Sequence, residues 1–126
     1  MATTIDLNQE TFAAYRRTMQ LRGEQEKAKQ QERFRLACQI ARQAAELLQQ
    51  DFGASKVMLF GSLAHRRWFS ATSDIDLAVW GVAKSDYFLA VARLQELSSD
   101  FKIDLVDMAN CPAALCEVIL KEGQPL

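Results

Sequence analysis

The chain has few of the residues that mark secreted, zinc-binding or membrane-spanning proteins. Its 126 residues include three cysteines, two prolines and a single histidine. The cysteines have no CxxC spacing and no histidine nearby, so a zinc site is not expected. An odd set of cysteines without a disulfide pattern predicts a reducing, cytoplasmic location. The N-terminus lacks a signal-peptide core, and no apolar run approaches the ~20 residues that span a membrane.

An excess of charge of one sign is also missing. The 15 basic and 16 acidic residues give a net charge of −1, so direct binding to nucleic acid is not expected. Hydrophobic residues make up 49% of the chain, enough for one core, and the length suits one domain. We expect a helical segment over residues 1–53 that packs on or extends from a core over residues 54–126.

Helical periodicity dominates the first half of the chain. Apolar residues at 34, 37, 40, 41, 44, 47 and 48 form the stripe of an amphipathic helix. Phe12, Tyr15 and Met19 form a shorter stripe before Gly23. The intervening residues 22–33 are almost wholly polar, and their pattern fits a solvated helix or a hinge equally well. Gly53 is expected to end the helix with a positive φ.

The second half alternates short β-favouring runs with helical patterns. We predict strands at Lys56–Phe60, Ile75–Trp80 and Phe101–Val106. A short helix is expected after Gly61-Ser62, a longer one over Ser85–Ser98 with Ser85 as N-cap, and a last one capped by Asn110 or Cys111 and ending near Gly123. This order predicts an α/β or α+β fold, a small sheet with helices packed on it.

Two motifs in this half carry chemistry. Gly61-Ser62 follows the first strand, and Ser73-Asp74-Ile75-Asp76 opens the second. Glycine lets backbone N–H groups approach a phosphate closely. Side chains alternate along a strand, so Asp74 and Asp76 should share a face, where two carboxylates resist burial unless a cation neutralises them. The pair therefore predicts a site for a divalent metal ion.

Asp104 is a third acidic candidate, because it lies on the third predicted strand. If that strand neighbours the second, Asp104 completes a cluster that could hold two metal ions for an in-line displacement. Asp104 would also accept the proton of the attacking hydroxyl, while Ser62 and the N–H groups after Gly61 would hold the β- and γ-phosphates. Each motif alone is common in ordinary turns; their order along the chain favours phosphoryl transfer.

The spacer between the two motifs allows alternative interpretations. His65 could touch phosphate or lie exposed on the surface. Arg66 and Arg67 could meet a triphosphate or a partner, or form a solvated face. Trp68-Phe69 could form a lid over a base or pack the loop onto the domain.

These motifs resemble the signature of the DNA polymerase beta-type nucleotidyltransferases, a Gly-Ser, a spacer of about ten residues and an Asp-x-Asp. Here the spacer is eleven residues long. The chain is most similar to the minimal nucleotidyltransferases (MNT), which are often paired with a HEPN partner in toxin–antitoxin modules. The resemblance covers roughly Lys56–Leu126. It implies a nucleotidyltransferase fold with a small mixed sheet flanked by helices.

The resemblance also implies roles for individual residues. Asp74, Asp76 and Asp104 match the metal-binding catalytic carboxylates, with two Mg²⁺ ions expected. Gly61 and Ser62 match the nucleotide-phosphate turn, and Ser73 matches the serine that precedes Asp-x-Asp. The chain departs from the family at His65-Arg66, because Arg66 replaces a glycine that lets the loop pass close to substrate.

A function follows from this resemblance. We expect an ATP-dependent protein adenylyltransferase that acts as an antitoxin by transferring AMP to a tyrosine of a HEPN ribonuclease toxin. The long N-terminal helix could supply the docking surface for that toxin. One alternative is an antitoxin that neutralises its partner by binding alone. Another is a nucleotidyltransferase acting on a small molecule such as an antibiotic, which the expected lack of a second domain disfavours.

Overall fold

The computed structural model describes the backbone of residues 2–66 and 69–126 and the side chains of residues 9–66 and 69–126. The chain divides into two compact units, the first ending at Glu32 and the second spanning Arg33–Leu126. Helix α1 is Ala2–Phe52. Within the described residues, no helix is both long and apolar enough to cross a membrane.

The polar stretch over residues 22–33 is helical, as the solvated-helix interpretation predicted. Every side chain described in the first unit, residues 9–32, is exposed. Helix formers such as Glu, Gln, Lys and Arg fill the stretch, so local propensity maintains the helix without an apolar face. The helix ends as predicted at Gly53, whose φ is +69°.

The second unit contains a four-stranded mixed sheet, whose strands are β1 Lys56–Phe60, β2 Ile75–Trp80, β3 Ile103–Asp107 and β4 Gln124–Pro125. Their order across the sheet is β3-β2-β1-β4. The first two predictions of strand bounds are confirmed, while β3 begins two residues later than predicted. Strand β1 runs antiparallel to β2 and β4, and β2 runs parallel to β3. Strand β4 was not predicted, because its two residues have no apolar alternation to mark them.

Two further helices are α2 Tyr87–Gln95 and α3 Ala113–Glu122. Helix α2 is shorter than predicted, α3 ends beside Gly123 as predicted, and both predicted N-caps are wrong. Asp86 occupies the N-cap position of α2, without a side-chain capping hydrogen bond, because Lys84–Asp86 form a 3₁₀ turn rather than α-helix. Pro112 caps α3 with an extended ψ of 142°. Two other 3₁₀ turns are Gly61–Leu63 and Met108–Asn110.

The two faces of the sheet are covered differently. On one face, buried alanines of α1 let the helix approach the sheet closely, and α2 adds Ala90 and Leu94. On the other face, Ile119 of α3 packs against Met58 and Ala78. Because side chains alternate along β2, Asp76 shares this second face with Ala78. The fold therefore leaves an acidic residue at the start of β2, beside the small apolar cluster under α3.

Candidate active site

Two of the predicted acidic residues are register partners. Asp76 of β2 pairs with Asp104 of β3 in the parallel ladder, and both side chains are only partly exposed. Neighbouring strands lie about 4.8 Å apart, so the two carboxylates share one face at close range. The condition set by the sequence, that the third strand must neighbour the second, is met.

Asp74 lies one residue before β2 and is also half-buried. Its charge contributes to the pKa of Asp76, which places it within electrostatic reach of the pair. The turn before it is held by Ser73, whose hydroxyl accepts the Ser70 N–H at 2.8 Å. Ile75 then donates its N–H to the Lys102 carbonyl at 2.9 Å. These bonds set the point at which β2 begins; a nucleotide contact by Ser73 stays a prediction.

The acidic cluster is short of positive charge. Burial raises the pKa of the Asp76 carboxyl to about 6, and the charges of Asp104 and Asp74 add to this effect. Lys102 opposes it, with its Nζ 3.6 Å from Asp104 Oδ1. The lysine was not identified from the sequence, although it directly precedes the strand that carries Asp104. One exposed ammonium does not balance three carboxylates, so the cluster retains an excess of negative charge.

Gly61 brings the turn against Asp76. Its φ is +73°, in the left-handed region, and a Cβ added there would collide with the Asp76 carboxylate. Both features require glycine at this position. Ser62 lies in the same 3₁₀ turn and is partly exposed. The structure therefore brings the Gly61-Ser62 turn and the carboxylates together, and the phosphate-binding role of the turn stays a prediction.

The C-terminal strand supports this turn, a contact that the sequence did not suggest. Gln124 donates from Nε2 to the Ala64 carbonyl at 3.0 Å, and Leu63 is buried. His65 lies with its Nε2 3.7 Å from Glu122 Oε2, so it contacts an acidic side chain of α3. The end of the chain thus fixes the position of the turn through residues about sixty positions away in sequence.

The rest of the spacer packs back onto α1. The guanidinium carbon of Arg66 lies 4.8 Å from the centre of the Phe34 ring. Phe69 meets the same ring edge-on, at 5.6 Å between centroids. Phe69 therefore follows the packing interpretation rather than the lid. Arg67 and Trp68 lie outside the described residues.

The carboxylates have the donor chemistry that a magnesium ion prefers, but they do not form a complete coordination site. Among the described residues, no group of three or more His, Cys, Asp or Glu side chains is arranged to hold a metal ion. The available donors are nevertheless hard oxygens, the ligands that Mg²⁺ prefers. Burial and the neighbouring carboxylates raise the pKa of Asp76, and a nearby cation would oppose that effect. The donor chemistry of Asp74, Asp76 and Asp104 therefore suits the ion, and its binding by these residues stays a prediction.

The raised pKa of Asp76 predicts that its ionisation destabilises the folded chain when no divalent cation is bound. The unfolded chain loses this proton near pH 3.8 and the folded chain near pH 6. The penalty is therefore absent below the first value and complete above the second. In EDTA, Asp76→Asn should raise the free energy of unfolding above pH 6 by about 1 kcal/mol after solvent screening.

The measurement is urea unfolding of wild type and variant on either side of this window. Asp100→Asn removes an exposed carboxylate and serves as the control. A stabilisation by Asp76→Asn that persists undiminished below pH 3.8 contradicts the assignment.

Two glycines provide a matched test of the contact between the turn and Asp76. Gly53 and Gly61 have φ of +69° and +73°, so alanine at either should cost ~1–2 kcal/mol of backbone strain. At Gly53 the added Cβ meets nothing within 4 Å, whereas at Gly61 it meets the Asp76 carboxylate. Of the two variants, only Gly61→Ala should lose more stability than the shared backbone strain explains, and only it should weaken Mn²⁺ binding. Thermal unfolding measures the stability, and electron paramagnetic resonance measures the binding of Mn²⁺. Equal losses of stability in the two variants, with equal Mn²⁺ binding, would contradict the interpretation.

Solved structures with the same fold come from toxin–antitoxin complexes. A chain of a toxin–antitoxin complex with AMP-PNP aligns with a TM-score of 0.56 and 24% identity, over 66% of this chain and 69% of that one. A chain of an MntA–HpeT mutant complex aligns with a TM-score of 0.56 and 25% identity, over 68% of this chain and 69% of that one. A third chain comes from the complex of a tri-AMPylated Shewanella oneidensis HEPN toxin with an MNT antitoxin. It aligns with a TM-score of 0.54 and 22% identity, over 71% of this chain and 70% of that one.

The sequence comparisons agree with this fold. No curated protein sequence matches the chain. The sequence pattern of the family described as "Polymerase beta, Nucleotidyltransferase" matches residues 42–126. That range is most of the second unit and contains the Gly61 turn and all three carboxylates. The chain belongs to the polymerase beta nucleotidyltransferase family.

Proposed function

We propose that this chain is an antitoxin that transfers AMP from ATP to a tyrosine of a HEPN-type toxin, with Mg²⁺. The observation that carries the proposal is the register pair of Asp76 and Asp104, packed against the Gly61 turn in a nucleotidyltransferase domain. Two relatives of the same fold support the choice of substrates. One was solved with AMP-PNP, and another is bound to a tri-AMPylated HEPN toxin.

In the proposed reaction the tyrosine oxygen attacks the α-phosphorus of ATP. A bond forms between that oxygen and phosphorus, the bond to the β-phosphate oxygen breaks, and pyrophosphate leaves. Asp104 accepts the phenolic proton, since its carboxylate is partly exposed at the edge of the cluster. Asp74, Asp76 and Asp104 would hold Mg²⁺, which when bound stabilises negative charge on the phosphates.

The turn binds the nucleotide in this proposal. Backbone N–H groups after Gly61 and the hydroxyl of Ser62 donate to the β- and γ-phosphates. The left-handed Gly61 lets the turn lie directly against the Asp76 carboxylate. A phosphate and a carboxylate repel at such range, so the turn and the acidic cluster share a need for the cation. Ser73 acts by fixing the start of β2.

The N-terminal helix is the proposed docking surface for the toxin. Phe12, Tyr15 and Met19 repeat at helical spacing and are 64%, 62% and 47% exposed. Arg16 and Arg22 flank this stripe on its two sides, with the Arg16 guanidinium carbon 5.7 Å from the Phe12 ring centre. A contiguous apolar stripe on a solvated helix is a typical protein-binding surface. Its basic flanks favour a partner helix with acidic flanks.

The exposed stripe also favours a second candidate, an antitoxin that acts by binding alone. In that case the toxin is neutralised by occlusion and the carboxylates are no longer used. Arg66 agrees with this alternative, because it replaces a family glycine and packs on Phe34 instead of toward the turn. The two candidates differ in whether the carboxylates are needed.

We predict that Asp74→Asn with Asp76→Asn abolishes AMP transfer, because both changes remove charge that holds the cation. The measurement is the intact mass of the co-expressed toxin, which should increase by whole AMP units with wild type and with Asp100→Asn. If the toxin's mass is unchanged with the double variant and its toxicity returns in cells, the result supports the catalytic antitoxin. A double variant that still silences the toxin at normal expression supports occlusion, and undiminished transfer rules out the proposed mechanism.

The proposed docking surface also leads to a prediction about toxin binding. Replacing Phe12, Tyr15 and Met19 with alanine should weaken toxin binding at least tenfold, which is about 1.4 kcal/mol. Leu21→Ala is the matched control, because Leu21 is 58% exposed and lies about 200° around the helix from Met19. Isothermal titration with the purified toxin measures both. Equal affinity for the triple variant and wild type would place the toxin on another surface.

A further inference from the structure

Arg33 of α1 contacts three residues in the two segments that lead into the acidic strands. Its Nη2 donates to the Ser73 carbonyl at 3.4 Å. Its guanidinium carbon lies 4.2 Å from the centre of the Phe101 ring and 5.9 Å from that of Phe69. All four residues belong to the second unit of the chain.

These contacts act on both strands of the carboxylate pair. Ser73 directly precedes Asp74, and Phe101 lies two residues before β3. The hydrogen bond from the Ile75 N–H to the Lys102 carbonyl joins the same two segments. The guanidinium therefore bridges the backbone that leads into β2 and the ring that leads into β3. A planar guanidinium can stack on a ring and donate in its own plane at the same time, which an ammonium cannot do.

The arrangement retains a cost. The Nε of Arg33 is buried and has no hydrogen-bond partner in the described structure. Leaving a buried donor unpaired destabilises the folded chain. Stability alone therefore gives no reason for a charged side chain in this position.

We propose that Arg33 is a positioning residue, which fixes the spacing of Asp74 and Asp76 from Asp104 by holding Ser73 and Phe101. The inference rests on the proposed function, because it assumes that the carboxylates bind a divalent cation. Arg33 acts through the backbone and rings that it contacts. Its loss should therefore loosen the cluster without removing any ligand, and outer contacts of this kind change metal affinity by about 10–100-fold.

The experiment compares Arg33→Met, Arg33→Lys and Asp76→Asn in the full chain. Mn²⁺ alone is the probe, and its binding is followed by electron paramagnetic resonance, with circular dichroism as the check on folding. Arg93→Met is the matched control, because Arg93 pairs with Asp51 at 3.1 Å in an exposed ion pair outside the cluster. AMP transfer is measured in parallel over a range of Mg²⁺ concentrations.

Arg33→Met should weaken Mn²⁺ binding about tenfold and raise the Mg²⁺ concentration for half-maximal transfer by a similar factor. Transfer at saturating Mg²⁺ should change little. Arg33→Lys, which keeps a positive charge near the Phe101 ring but loses the planar guanidinium, should recover part of the affinity. Arg93→Met should behave as wild type. A loss of the maximal rate with unchanged Mn²⁺ affinity would contradict a positioning role.

The failure of this inference and that of the proposed function give different results. If Asp76→Asn abolishes Mn²⁺ binding while Arg33→Met binds as tightly as wild type, only the role of Arg33 is overturned. If Asp76→Asn binds Mn²⁺ as wild type does, both are overturned. Should Arg33→Met not fold, Phe101→Leu removes the ring under the guanidinium, and wild-type affinity in that variant overturns the role of Arg33.

Discussion

Repulsion among three half-buried carboxylates is the interaction on which the rest of the site depends. Burial, followed by the charges of Asp104 in the parallel ladder and of Asp74, raises the pKa of Asp76 to about 6. Lys102 is the cation that opposes this shift. Such a cluster costs stability unless something positive joins it. In the proposed function this cost has a reason, because the cluster would bind a cation that also contacts phosphate.

The packing of the sheet prevents the carboxylates from moving apart. Ile75, Leu77 and Val79 are fully buried against the helices on the other face. A slip of one residue in β2 would move the apolar side chains out of the core and Asp76 into it. On the acidic face, α3 covers Ala78 but not the start of the strand. Hydrophobic burial on one face therefore holds the carboxylates together on the other.

Much of this arrangement was readable from local sequence. The bounds of β1 and β2 follow from apolar runs that glycine and serine delimit, and the positive φ of Gly53 follows from the end of the helix there. The proximity of Asp104 could be stated only as a condition, because strand order depends on the whole sheet. The polar stretch before Arg33 was ambiguous, since it has no apolar period to count.

The remaining features have no local pattern. Arg33 reaches Ser73 across forty residues of sequence, and Gln124 reaches Ala64 across sixty. Each is a side chain bonded to a distant backbone carbonyl, so only the folded chain reveals it. The short strand β4 is likewise defined by its pairing with β1 rather than by its composition. The support of the site, more than its reacting groups, is what the structure adds.

The most direct test of this account is anomalous diffraction from crystals of the chain soaked in Mn²⁺ with a non-hydrolysable ATP analogue. The account predicts an anomalous peak in contact with the carboxylates of Asp76 and Asp104, and with a phosphate of the nucleotide held by the Gly61 turn. A nucleotide bound elsewhere, or Mn²⁺ that occupies other sites while these carboxylates remain without a peak, would contradict it.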